Sequence, residues 1–176
     1  MDFKDAVRKK EQEKESSEVT HRQINAAILN ELPKLYENAV SYFKDLSSDT
    51  PIIISAEPQT KQLVWAYNRE KIGTIQVSDY VFSFNEKIMS ISLNPVMGYI
   101  GATAKIDLTT SVLRELPIIN GGLFLVAAYE SDQKNAIKYM DSHNKVHEFN
   151  AGVAEQIMRI IFLDERVYEQ DVERWG

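Results

Sequence analysis

Two histidines four residues apart are the best candidates in this sequence for metal ligands. His143 and His147 lie beside Asp141 and Glu148, and on a helix this spacing would place both imidazoles on one face, as zinc requires. Residues 141–145 have turn chemistry, however, and the first histidine lacks the adjacent glutamate of the HExxH zinc proteins. We therefore predict two surface histidines in a connection, with no metal and no cofactor.

The sequence contains no recognisable catalytic motif. It has no cysteine, which excludes a disulfide scaffold, a zinc–thiolate site and a cysteine nucleophile. It has neither a GxSxG nucleophile motif nor the GxGxxG and GxxxxGK[ST] loops that bind nucleotides. Enzyme activity stays an open alternative, and a non-enzymatic role is favoured.

Aromatic residues on neighbouring predicted strands are the strongest candidate for a binding surface. Trp65 with Tyr67, and Tyr80 with Phe82 and Phe84, alternate with other residues and therefore share a face within their strands. Such a face can stack bases, line a small-molecule cavity beneath helices, or form ordinary core. We favour core, and keep a partner surface or a ligand cavity as the main alternative.

A pair of glycines is a second, weaker indication of nucleic-acid binding. Residues 98–101 read Gly-Tyr-Ile-Gly and lead into Lys105, and this stretch resembles the GXXG loop of KH domains. The resemblance implies that the loop backbone approaches a phosphodiester. Tyr99 and Ile100 are bulky and uncharged where KH loops are polar or basic, so we favour two glycines that ease a twisted strand pair.

Composition predicts a soluble protein, and the negative net charge argues against binding to nucleic acid. The chain has 176 residues, enough for one domain, with a net charge of −6 and a pI near 5.2. Acids outnumber arginines five to two in residues 164–174, which predicts a solvated terminal helix or a surface for a basic partner. The N-terminus lacks an apolar leader and the chain lacks a membrane-spanning run, so we predict a cytoplasmic protein.

A long amphipathic helix is the clearest predicted element, and a capping motif marks its start. Thr20 and Gln23 form a T-x-x-Q capping box, and Val19 and Ile24 occupy the positions of a hydrophobic staple. Pro33 predicts a kink near the middle, or a break into two helices. The helix should end near residues 47–48. Its apolar stripe recurs every three or four residues: Ile24, Ala27, Ile28, Leu32, Leu35, Ala39, Tyr42, Phe43 and Leu46.

After residue 51 the apolar period changes from 3.6 to 2, which predicts short strands joined by tight turns. The strands that we predict cover residues 51–56, 62–67, 73–78, 80–85 and 89–93.

The last third of the chain is predicted to be mixed. Residues 99–106 form a further candidate strand, and residues 107–116 and 132–141 each read as a short helix. Residues 123–129 are too uniformly apolar for an edge strand, so we place them centrally. Asn150 caps a final helix. The apolar stripe of that helix holds Val153, Ile157, Ile160 and Ile161.

Together these elements predict an α+β fold. An antiparallel meander of about five to seven strands is backed on one face by the long N-terminal helix and the C-terminal helix. We predict that residues 1–18 form a charged lead-in, either a frayed helix or a solvent-exposed one. Residues 19–163 form the single domain, and residues 164–176 form an acidic C-terminal segment.

Three functions are compatible with these patterns. The favoured one is a non-enzymatic binding, regulatory or accessory protein, similar in kind to chaperones, inhibitors or immunity proteins, that acts through a protein partner and self-associates. The alternative is a small-ligand-binding protein or enzyme with a cavity between sheet and helices, using acids such as Glu57 or Asp79, or the histidines His143 and His147. The third is a single-stranded nucleic-acid binder.

Overall fold

The computed structural model describes residues 2–65, 69–97, 103–127 and 134–166. Within these residues two helices and eight strands follow one another, with a 3-10 turn at Ile119–Gly121 before the sixth strand. The elements are α1 Phe3–Ser47, β1 Ile53–Trp65, β2 Lys71–Phe84, β3 Lys87–Asn94, β4 Val96–Met97, β5 Ala104–Thr110, β6 Gly122–Val126, β7 Ala136–Met140, β8 Val146–Glu148 and α2 Ala151–Phe162.

The strands form one sheet in the order β4-β1-β2-β3-β5-β6-β7-β8. Every neighbouring pair is antiparallel except β4, which pairs in parallel with the end of β1 through Val64–Val96 and Trp65–Met97. The antiparallel sheet with a long N-terminal and a C-terminal helix confirms the predicted α+β fold.

Both helices cover the same face of the sheet. The second half of α1 buries Ile28, Leu32, Leu35, Ala39 and Phe43 at helical spacing, because apolar side chains three and four residues apart share one face. In α2 the predicted stripe is buried as well, and the Asn150 side chain accepts a hydrogen bond from the Val153 N–H at 3.0 Å, which confirms the predicted cap. The core therefore lies between the helices and the sheet.

The predicted start of the long helix at Thr20 is wrong. Helix α1 begins at Phe3, with Asp2 at the N-cap position, and continues through Pro33 to Ser47. Instead of capping, the Thr20 hydroxyl donates to the carbonyl of Ser16 one turn earlier, at 2.9 Å. Residues 3–18 are rich in good helix formers, so the helix propagates through the capping signal.

Two further helix predictions are wrong. Residues 107–110 continue β5, which pairs with β3 and β6, and no helix follows in residues 111–118. Within residues 132–141, the described part contains β7, which pairs with β6 and β8. The predicted central strand is confirmed in its described part, because β6 lies between β5 and β7 with Leu123 and Leu125 fully buried. In both wrong cases a neighbouring strand outweighs a local helical pattern.

The β1–β2 ladder is longer than the β2–β3 ladder. Strand β3 pairs with β2 from Tyr80 to Phe84, whereas the β1–β2 register runs on to residues 71–79. Along β2 the inward face changes from odd to even positions between Val77 and Tyr80. Gly73 lets α1 approach this hairpin, since a Cβ there would lie 2.5 Å from Cδ1 of Leu29.

The chain end that follows α2 folds back where it is described. Asp164 pairs with Lys87 and Arg114, and Glu165 pairs with Arg159. Among the helices described, none combines the length and the apolar character needed to cross a membrane.

Candidate functional site

The predicted aromatic surface lies mainly inside the molecule. Phe82 is fully buried and Tyr80 is 6% exposed, while Phe84 is half-buried against the core. Trp65 is described only as the last residue of β1, and Tyr67 lies outside the described residues. Tyr80 and Phe82 therefore supply core packing, and neither ring presents a face to a partner.

The space beneath these strands is filled by rings. Phe43 of α1 lies 6.3 Å from Phe82 and 5.8 Å from Phe149, measured between ring centroids, and Tyr42 packs edge-on against Phe149 at 5.4 Å. Contacts of this kind add to the burial of each ring. The ligand cavity that the sequence allows around Phe82 is therefore occupied by side chains.

A polar groove lies instead between α1 and the hairpin of β1 and β2. It has a volume of about 340 Å³, at the lower end of the range of small-ligand sites. Val77 and Pro58 supply apolar surface, and the other groups are amides, hydroxyls and one carboxylate. The lining residues are Glu37, Pro58, Gln59, Thr60, Gln76, Val77 and Ser78.

The Glu37 carboxylate is held in place by two neighbours behind the groove. The Tyr80 hydroxyl donates to Glu37 Oε1 at 2.7 Å, and Lys44 Nζ lies 3.5 Å from Oε2. Lys44 also donates to the Tyr80 hydroxyl at 3.2 Å and lies 4.2 Å from the centre of its ring. The three side chains form a closed network at the point where the core meets solvent.

The protonation of Tyr80 and Lys44 argues against base catalysis by either side chain. Burial, followed by the hydrogen bond to Glu37, raises the pKa of Tyr80 above that of an ordinary tyrosine. Burial opposes the charge on Lys44, but Tyr80 and Glu37 together raise its pKa above the usual lysine value. At neutral pH the phenol therefore stays protonated and the amine charged, so neither is a nucleophile or a general base.

An ion pair fixes the nearby part of the hairpin. Lys61 Nζ lies 2.7 Å from Asp79 Oδ1 and donates to the carbonyl of Leu93 at 2.8 Å. Asp79 also faces Glu57 across the β1–β2 ladder. Of the two acids proposed from sequence for a ligand site, Asp79 is thus paired with a lysine, and Glu57 lies exposed on β1.

The two histidines lie in a hairpin, as the turn chemistry predicts. His147 Nε2 lies 2.6 Å from Asp141 Oδ2, and the other oxygen of Asp141 accepts from the backbone N–H groups of His143 and Lys145 at 2.8 and 3.0 Å. The His143 side chain is exposed. No group of three potential metal ligands occurs among the described residues, and this aspartate serves to close a turn between β7 and β8.

The glycine pair of the KH-like stretch lies outside the described residues, as do Tyr99 and Ile100. Sequence reasoning did not single out Glu37 and Lys44. No local pattern marks them, because Glu37 meets Tyr80 across 43 positions of chain.

The first half of α1 is exposed to solvent along nearly its whole length. Every residue from 7 to 23 is exposed, whereas buried positions begin at Ile28. Phe3, Val7 and Val19 keep 79%, 48% and 52% of their surfaces exposed. We call residues 3–23 the projecting segment. At 1.5 Å per residue it measures roughly 30 Å.

Comparison with protein-family models, curated proteins and solved structures found no match for this chain. Functional inference therefore rests on the groove and on the projecting segment.

Proposed function

We propose that this chain is a non-enzymatic accessory protein that acts by binding another protein chain, and that the projecting segment is its docking element. The observation that carries the proposal is the unbroken exposure of residues 7–23 on a helix whose second half is anchored in the core. An exposed helix attached to a rigid domain can present side chains to a partner over its whole length.

The marginal stability of an isolated helix supports this proposal. A polar helix in water has little to hold it beyond its own hydrogen bonds, because most helical stability in proteins comes from packing of an apolar face. The projecting segment continues from a packed helix, so it needs no nucleation of its own, but it gains no burial either. Contact with a second chain would supply that burial.

The chemistry behind the groove also offers no base among the partners of Glu37. Glu37, Tyr80 and Lys44 satisfy one another, and the raised pKa values of Tyr80 and Lys44 leave both protonated at neutral pH. A catalytic base needs a pKa near the working pH. Neither of these two side chains meets that requirement.

Native mass spectrometry of tagged protein, purified gently from the cells that make it, tests the proposal. The full chain should carry a stoichiometric second chain, either another protein or a further copy, and the chain that lacks residues 2–22 should lose it. Leu113→Ser, at a fully exposed loop position, is the matched control and should retain it. A complex that survives the truncation, or a bare monomer that carries a small-molecule adduct, would contradict the proposal.

A small-ligand role for the groove is the second candidate, and the anchored carboxylate favours it. Glu37 is held by Tyr80 and Lys44 beside the amides of Gln59 and Gln76. Such a set suits a polar ligand that offers several hydrogen-bond donors. A thermal-shift screen of polar metabolites against the intact protein and Glu37→Gln tests this role. A ligand that raises the melting temperature of the intact protein alone would support it, and a flat screen would remove it.

A further inference from the structure

Charge is unevenly distributed along the projecting segment and the residue before it. Residues 2–10 hold four basic side chains and two acidic ones, for a net charge of 4 − 2 = +2. Residues 11–18 hold one basic side chain and four acidic ones, for a net charge of 1 − 4 = −3. The basic residues of the first block are Lys4, Arg8, Lys9 and Lys10, and the acidic residues of the second are Glu11, Glu13, Glu15 and Glu18.

These charges are largely unmatched within the described part of the chain. Arg8 lies 3.9 Å from Asp5, and both side chains remain mostly exposed. No other ion pair occurs between side chains of residues 2–18 as described. A helix with a basic block followed by an acidic block therefore presents its charges to an external partner.

We propose that this partner is a second copy of the same chain, docked antiparallel along residues 2–19. The proposal rests on the proposed function and specifies its partner. In an antiparallel pair the +2 block of each copy lies beside the −3 block of the other, and a two-fold axis relates the two contacts. A parallel pair would place each block beside a block of the same charge, which is unfavourable.

One exposed apolar pair lies at the start of the segment. Phe3 and Val7 are four residues apart and so lie on one face of the helix. The two-fold axis of the antiparallel pair places one such pair at each end of the dimer. Val19 is exposed as well, but it lies on nearly the opposite face of the helix from Phe3.

The energetics predict an association that depends on salt. Each exposed ion pair contributes about 0–1 kcal/mol and is screened by added salt. The two-fold axis doubles every contact, so several weak ion pairs act together. The dimer should therefore weaken as ionic strength rises.

Charge reversal in the full-length protein provides the test. The basic-block variant carries Arg8→Glu, Lys9→Glu and Lys10→Glu, which changes the net charge of residues 2–10 from +2 to −4. The acidic-block variant carries Glu11→Lys, Glu13→Lys and Glu15→Lys, which changes residues 11–18 from −3 to +3. Glutamate and lysine both favour helix, so helical content should be kept, and circular dichroism checks this.

Light scattering after size exclusion, over a range of concentrations and salt, should give a dimer for the native protein. Each variant alone should dimerise at least about tenfold more weakly. An equimolar mixture should form a heterodimer, because every block then meets its opposite. Lys34→Glu, Lys71→Glu and Lys145→Glu, three exposed lysines outside the segment, match the charge change of the basic-block variant and should leave the dimer intact.

A monomeric native protein at low salt, or variants that do not pair when mixed, would overturn the antiparallel dimer. The proposed docking function is tested separately by the truncation that lacks residues 2–22. A monomer whose truncation still loses a different protein would refute the self-pairing alone. A dimer that persists in the truncated chain would refute both.

Discussion

Among single side chains, Tyr80 connects the core to the groove. Its ring lies 6.3 Å from that of Tyr36 within the core, while its hydroxyl donates to Glu37 at the surface. Burial of an aromatic ring with a satisfied hydroxyl is the usual arrangement for tyrosine. The residue thus belongs to the core and also orients the one carboxylate of the groove.

Asp141 gives the clearest prediction for a single residue. Burial opposes its charge, but hydrogen bonds from His147 and from the backbone N–H groups of Lys145 and His143 lower the pKa of its carboxyl from 3.8 to about 2. Since the folded pKa is the lower one, ionised Asp141 stabilises the fold above about pH 4. This stabilisation is lost as the pH falls towards 2.

Asp141→Asn should therefore lower the free energy of unfolding at pH 7 by about 1 kcal/mol, because solvent screens part of the interaction. Urea unfolding at pH 7 and near pH 2 measures the effect, and the difference from native should shrink at the lower pH. Glu148→Gln, an exposed acid on β8, is the control. If Asp141→Asn lowered the free energy of unfolding equally at both pH values, the result would contradict the assigned hydrogen bonds.

At the level of elements, Tyr36 holds the point where β2 and β3 separate. Its hydroxyl donates to the Ser78 carbonyl at 2.7 Å and lies 3.3 Å from the Ile91 carbonyl. The residue is fully buried, and burial raises its pKa above the ordinary tyrosine value. The helix thus supplies a donor to strand carbonyls at the end of the β2–β3 ladder, which begins at the Tyr80–Ile91 pair.

Tyr36→Phe should destabilise the protein by roughly 1–3 kcal/mol, since it leaves buried carbonyl groups without their donor. Chemical unfolding compares it with Tyr42→Phe, whose hydroxyl makes no hydrogen bond within the described chain and whose ring contact with Phe149 is kept. The Tyr42→Phe control should leave the free energy of unfolding almost unchanged. Equal effects of the two substitutions would show that the Tyr36 hydroxyl contributes nothing specific.

The elements also show what the sequence could reveal. The stripe of α1 and the stripe of α2 were predicted because helical burial repeats every three to four residues. Residues 136–140 suggested a helix through Ala136, Ile137 and Met140, yet they pair with the apolar strand β6. That pairing depends on a distant segment, so no local pattern contains it.

The groove was beyond sequence reasoning for the same reason. In the sequence, Glu37 resembles the other charged residues on the solvent-exposed face of a helix. Tyr80 resembles any member of a strand with alternating apolar residues. Their hydrogen bond exists because β2 passes beneath α1. The charged character of residues 1–18 and their exposure were predicted from the sequence, but the continuity of this stretch with the packed helix was not.

For the whole molecule, the structure predicts that the projecting segment is separable from the core. No residue from 7 to 23 is buried, so removal of residues 2–22 takes away almost no apolar burial. The truncated chain should keep its thermal midpoint to within about 3 °C when both proteins are held at a concentration low enough to be monomeric. A large drop in the midpoint would mean that the segment contributes to the core.

Hydrogen exchange of the full-length protein at increasing concentration tests the central claim most directly. The claim is that α1 has a packed half and a half that pairs with a second copy of the same chain. Amides of residues 7–23 should become protected as concentration rises, while those of residues 28–47 should stay protected throughout. Exchange in residues 7–23 that is independent of concentration up to the millimolar range, or protection that appears elsewhere on the surface, would contradict it.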